Sequence, residues 1–118
     1  MTLRQIKEFL NAEILTECDD QNIDIKVAKA SDLMSDVLRF SGPGKLLLTG
    51  LTHNQVIRTC EIAGIAAIIF VRGKQPSAET VALGKKCNIA MLTTKLSMFE
   101  SCGILYSNGI KGVSIKKE

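Results

Sequence analysis

Residues 41–50, SGPGKLLLTG, set glycines beside a lysine. With that combination a loop can wrap backbone N–H groups around a polyphosphate while an ammonium reaches its terminal oxygens. Such a loop would point to a kinase or a nucleotide hydrolase. The motif needs G-x-x-x-x-G-K-[ST], following a strand and opening a helix. Here the first glycine position is Arg39 and the hydroxyl position is Leu46, and the pattern predicts a loop that leaves a helix and enters a strand. Ser41-Gly42-Pro43-Gly44 therefore reads as a helix stop, with glycine near the C-cap and proline barring continuation.

Other reactive residues are sparse. Cys18, Cys60, Cys87 and Cys102 form no CxxC pair, and one histidine cannot complete a Cys/His zinc set of the usual spacing. Three of the four fall in predicted helices, where a reduced buried thiol behaves as a small apolar residue. Asp32 and Asp36 share a helix face without the marks of an acid/base pair, and Ser31-Asp32 reads as a helix N-cap. No nucleophile motif and no GxGxxG is present. The expectation is a protein without catalytic residues, metal or cofactor, and not an enzyme.

Composition sets the wider frame. The 118 residues are 46% hydrophobic and 23% charged, which suits a folded chain, taken as one domain over residues 1–118. Aromatics are scarce and Trp is absent, so the core must rest on aliphatic residues and stacking platforms for single-stranded nucleic acid are not expected. The net charge of +3 is uneven: residues 1–40 carry eight acids and five bases, residues 41–118 four acids and ten bases. No dense basic run suggests nucleic acid; the basic second half suits either a solvated surface or a small anionic ligand. No signal peptide and no apolar run near the roughly 18 residues that span a bilayer is seen, so no membrane partner and a cytoplasmic location are expected.

The elements that would position a site follow from periodicity. Thr2-x-x-Gln5 is a capping box opening a helix with Leu3, Ile6, Phe9 and Leu10 on one face. A short strand follows over 12–16, then a polar turn over 17–22. The alternating 23–29, IDIKVAK, predicts a half-exposed strand, and Ser31 to about Phe40 a helix burying Leu33, Met34, Val37 and Leu38. LLLTG (46–50), IAAIIFV (65–71) and NIAMLTT (88–94) are continuous apolar runs, as in strands covered on both faces of a parallel sheet. Helices are predicted over 54–63, 77–87 and 97–108, the last opened by a second capping box, Ser97-x-x-Glu100. A last edge strand is placed at 113–115. Successive strand–helix units give the expected fold class: α/β, a single compact domain with a mostly parallel sheet and helices packed on it.

In such sheets ligands bind beyond the carboxyl ends of the strands, where helix N-termini offer free N–H groups. That rule collects Thr49, Gly50, Thr52, His53 and Asn54 after the first long strand. It adds Arg72 and Gly73, with Lys74, after the second, and Thr93, Thr94 and Lys95 after the third. The set suits a phosphate or carboxylate. Each residue also has a plain structural role open to it: Thr52 or Asn54 as a helix cap, Gly50 as a tight turn, Lys74 and Lys95 as surface charges.

KASDLMSDVL (29–38), PGKLLLTGLTHNQVIRTCEIAGIAAIIFVRGKQP (43–76) and LTTKLSMFESCG (92–103) together resemble the small stand-alone DRTGG-domain proteins, over about residues 2–108. The resemblance implies an α/β domain similar to the N-terminal domain of HPr kinase/phosphorylase, found also beside phosphotransacetylase domains and between CBS domains of regulatory pyrophosphatases. The motif's Asp-Arg would fall near Leu51-Thr52-His53 and its Thr-Gly-Gly near Val71-Arg72-Gly73, where only Gly73 matches. Relatives of this kind are sometimes labelled serine kinases of HPr, but the failed phosphate loop argues against that activity here.

Two readings follow. One is a non-enzymatic regulatory module that binds a small anionic ligand, a nucleotide or other phosphorylated small molecule, at the strand ends as a homodimer, with Met98, Phe99 and Tyr106 as candidate contacts. The other is a protein-interaction or scaffold subunit that docks on a protein partner without any small-molecule ligand.

Overall fold

Among the described residues, the three apolar runs become the middle of a five-stranded sheet. The computed structural model describes residues 1–18, 22–40 and 44–112. In chain order the elements are α1 (Leu3–Leu10), β1 (Glu13–Thr16), β2 (Val27–Ala30), α2 (Met34–Leu38), β3 (Lys45–Thr49), α3 (Asn54–Ala63), β4 (Ala67–Phe70), α4 (Ala78–Lys86), β5 (Ala90–Thr93) and α5 (Met98–Ser107). The strands lie in the order β1-β5-β4-β3-β2. The four strands β2 to β5 are parallel, and β1 closes the far edge antiparallel to β5. The fold is α/β with a mostly parallel sheet.

Side chains alternate across a strand, so each apolar run feeds two cores. Leu46, Leu48, Ile69 and Leu92 pack with Leu3, Ile6 and Leu10 of α1 and Leu105 of α5. Leu47, Ile68, Phe70 and Met91 pack on the opposite face with Val37, Val56, Ile57 and Cys60, beneath α2, α3 and α4. Every residue of β4 and β5 is buried, which is why those segments carry no polar alternation. Each large aliphatic side chain so covered contributes about 1.5–3 kcal/mol. At Gly84 helix and sheet approach so closely that an added Cβ would stand 2.5 Å from Met91 Cε.

Local chemistry sets the helix ends. The Thr2 capping box forms as read, with Gln5 N–H donating to the Thr2 hydroxyl and Thr2 N–H to the Gln5 side chain. Ser77 and Ser97 cap α4 and α5 by accepting from Thr80 and Glu100 N–H. The Glu100 carboxylate takes the Ser97 hydroxyl. The N-cap of α3 is His53, with no side-chain cap bond, rather than Thr52 or Asn54. Lys45 lies on β3 with its ammonium 4.6 Å from the centre of the Phe40 ring, a cation–π contact and not a phosphate grip.

Two predicted elements begin three or four residues later than expected. The strand expected over 23–29 runs only from Val27 to Ala30; upstream of it Ile25 is buried but gives its N–H to the Met1 carbonyl instead of the sheet. The helix expected from Ser31 starts at Met34, because the Ser31 hydroxyl accepts from Leu33 N–H and Asp32 is drawn away to β3. Within α2 only Val37 is buried, while Leu33 stands 64% exposed and Leu38 is exposed too. Phe9 of α1 is likewise exposed, at 43%. The centre of the polar turn, the Ser41-Gly42-Pro43 stop and the edge strand at 113–115 lie outside the described residues.

The four cysteines form no disulfide. Burial pushes the Cys60 thiol up to about 12 and raises Cys102 as well; desolvation, aided by Glu61, raises Cys87. None of these three is poised as a thiolate.

Truncating Ile69→Ala should remove contacts in the α1/α5 core and cost about 3 kcal/mol, whereas Phe9→Ser should stay within about 1 kcal/mol. Urea unfolding of both variants checks this, and a large loss from Phe9→Ser would mean that α1 packs differently.

Candidate functional site

The parallel strands end almost level. Ala30 pairs with Leu48, Leu48 with Ile69, Thr49 with Phe70 and Phe70 with Thr93. The next residues, Ser31-Asp32, Gly50, Val71-Arg72 and Thr94, therefore form one rim. At its far end β1 enters antiparallel, with Glu13 opposite Thr93.

At the β2–β3 side the rim is built on Asp32. Its Oδ1 accepts from the Thr49 hydroxyl at 2.7 Å and from Gly50 N–H at 2.8 Å. The Arg72 guanidinium lies directly over Gly50: a Cβ there would meet Nη2 at 2.6 Å and Asp32 Oδ2 at 3.6 Å. Glycine at 50 is what lets the arginine settle on the strand end. Among the described residues Arg72 forms no ion pair, and it is exposed. The Gly50 hydrogen bond holds the Asp32 carboxyl below the usual carboxylate range against partial desolvation, helped by Thr49 and by the Arg72 charge.

The turn after β4 is shaped by two successive left-handed residues, Arg72 (φ 60°) and Gly73 (φ 70°). Such a φ is unusual for arginine. It is fixed by two hydrogen bonds, Arg72 N–H to the Leu96 carbonyl at 2.8 Å and Gly73 N–H to the Thr94 carbonyl at 2.7 Å. At the β5–β1 side a cleft of about 300 Å³ is lined by Asn11, Glu13, Gly73, Gln75, Thr93, Thr94, Lys95 and neighbouring residues. Lys95 and Lys74 are exposed beside it.

The sequence-derived residues thus divide. Gly73, Thr93, Thr94 and Lys95 share the cleft, and Thr49, Gly50 and Arg72 share the Asp32 cluster. Thr52 is half-buried and His53 exposed in the loop before α3. Asn54 turns instead toward α4, donating to Glu79 Oε1 at 3.0 Å and accepting from the Thr80 hydroxyl. The strand-end threonines are all engaged: Thr93 donates to the Lys74 carbonyl and Thr94 to the Leu10 carbonyl. Asp32 was missed because Ser31-Asp32 reads as a helix N-cap and the strand-end rule was applied only after the three apolar runs; β2 ends at Ala30, and the same rule there collects Ser31 and Asp32. Glu13 and Asn11 join the cleft only through the antiparallel β1. Among the described residues no group of His, Cys, Asp and Glu is placed to hold a metal ion, and no helix is long and apolar enough to cross a membrane.

No protein-family model and no curated protein matches the chain. Among solved structures, it is similar to the CBS and DRTGG domains of the regulatory region of Clostridium perfringens pyrophosphatase, solved in complex with its activator, diadenosine tetraphosphate. The TM-score is 0.75 at 22% identity over 88% of this chain. The chain spans 45% of that structure's length. The likeness shows a related fold.

Replacing Asp32 by Asn should lower stability at pH 7 by on the order of 1 kcal/mol, since charge-assisted bonds to Thr49 and Gly50 are weakened at an exposed site. A carboxylate whose folded pKa is depressed adds stability above its unfolded value, about 3.9, and loses it as pH falls through the folded value. The gap between wild type and Asp32→Asn should therefore close as urea titrations move below about pH 4. Equal stability at pH 7 would show that the tie contributes nothing.

Proposed function

We propose that this chain is a non-enzymatic regulatory module of the DRTGG kind that binds a small anionic ligand, a nucleotide, at the carboxyl ends of its parallel strands and works as a homodimer. The observation that carries the reading is the rim itself: Lys95 lines a cleft floored by Gly73 and Thr93–Leu96, Lys74 is exposed in the turn after β4, and Arg72 lies exposed over Gly50 farther along the same strand ends. Exposed cations around glycine backbone suit phosphate oxygens, and the strand-end position is where open α/β sheets take ligands. The related fold lends support, since the pyrophosphatase regulatory region is bound to a nucleotide activator.

In this reading Arg72 and Lys95 grip the phosphates, His53 and Thr52 border the ligand from the α3 loop, and the threonines hold the backbone that carries them. A cleft of about 300 Å³ is at the small end for a ligand pocket, so a nucleotide would be covered by a second subunit. The alternative, a docking subunit for another protein, draws on Phe99 and Tyr106, which stand 88% and 73% exposed seven residues apart on α5.

The test is thermal unfolding of the purified protein with AMP, ADP, ATP, dinucleoside polyphosphates and cyclic dinucleotides. At a hundredfold excess over its dissociation constant a native-state ligand adds about 2.7 kcal/mol, roughly ten degrees in Tm for this size. Arg72→Ala should abolish the shift with the unliganded Tm little changed. A flat panel on a cooperatively folded protein would reject the nucleotide reading and favour docking.

A further inference from the structure

The Asp32 cluster has the form of an occupied anion site. One carboxylate oxygen takes a backbone N–H from Gly50 and a hydroxyl from Thr49 at hydrogen-bond lengths, and a guanidinium lies over the same strand end. A backbone N–H, a hydroxyl and an arginine are the donors with which proteins hold a phosphate or carboxylate oxygen. We propose that Asp32 is a built-in stand-in for the ligand: its carboxylate fills an oxyanion cradle made by Gly50 N–H, the Thr49 hydroxyl and the Arg72 guanidinium, and an incoming phosphate displaces it.

This inference rests on the strand-end reading above and adds the state of the site before ligand arrives. The fold supplies the means for displacement. Asp32 is exposed, so its carboxylate can leave for water without crossing the core. The segment that carries it is tied by backbone and side-chain bonds, Ser31 N–H to the Leu48 carbonyl and Lys29 to Asp36, but is thinly buried: no residue of β2 is buried, and of α2 only Val37 is. Next to it α2 leaves Leu33 and Leu38 exposed. By contrast Thr49, the donor left behind, is fully buried at the end of β3, and the backbone of Arg72 is held by its N–H bond to the Leu96 carbonyl. The cradle's hydroxyl donor sits on a buried strand and its occupant on the thinly buried edge of the sheet. Ligand affinity is then reduced by the occupancy of the stand-in, as for any site that is open only part of the time.

The probe is inorganic phosphate, with affinity read by titration of the full chain and the Gly50 amide followed by NMR. Asp32→Ala, which empties the cradle, should bind phosphate at least tenfold tighter than wild type. Asp32→Asn, which removes the charge but leaves a group in place, should gain less. The gain should vanish in Asp32→Ala/Arg72→Gln. No gain in Asp32→Ala, equal gains from Ala and Asn, or a gain that survives loss of Arg72 overturns the proposal. Should Asp32→Ala fail to fold, the wild-type Gly50 amide decides: a saturable shift with phosphate is expected, and an unmoved amide refutes the cradle. A flat nucleotide panel with phosphate bound by Asp32→Ala would sink the nucleotide reading alone. Nucleotide bound equally by wild type and Asp32→Ala would sink the stand-in alone.

Discussion

Burial of the central strands on both faces is the constraint from which the rest follows. Leu46–Leu48, Ala67–Phe70 and Ala90–Leu92 are covered from above and below, so no polar group can be placed on those strands without an internal partner. Chemistry is left to the strand ends. Because β2 to β5 run parallel and end nearly in register, those ends collect Asp32, Gly50, Arg72 and Thr94 within one rim from segments more than sixty residues apart in sequence.

The same constraint decides what the rim's hydroxyls do. Thr49, Thr93 and Thr94 sit where burial is complete or nearly so, and an unpaired hydroxyl there would cost about 1–3 kcal/mol. Each is consequently spent on a neighbour: Thr49 on Asp32, Thr93 on the Lys74 carbonyl, Thr94 on the Leu10 carbonyl. The threonines tie the β2–α2 loop, the β4–α4 loop and the end of α1 to the sheet. Recognition of anything from solvent then falls to groups that are exposed, chiefly Arg72, Lys74 and Lys95.

How much of this was legible from sequence depended on whether a residue's role was local. The three buried strands were readable because two-sided burial imposes apolar residues at every position, and α3 was bounded at Asn54 and Ala63 by its own periodicity and Gly64. Capping at Thr2 and Ser97 was readable because the partner is three residues away. Asp32 was not. Its Ser-Asp context spells an N-cap, and only the β2–β3 register, a contact across 18 residues, turns it to Gly50 instead. Asn54 failed for the same reason, since its partners Glu79 and Thr80 lie on α4. Leu33, Leu38 and Phe9 looked like core because helical spacing marks a face without saying whether anything covers it.

Size argues for where a larger ligand would have to be enclosed. The cleft at Gly73, Thr93, Thr94 and Lys95 holds about 300 Å³, room for phosphate groups but not for a base and sugar buried as ligands usually are. One residue beyond that cleft's Leu96 lining, Ser97 caps α5, whose outer side carries Phe99 and Tyr106 with open space over Gly103 between them. An exposed aromatic pair on a helix with Glu100 as its one charge is costly to leave in water. A second copy packed on α5, as in the proposed homodimer, would remove that cost.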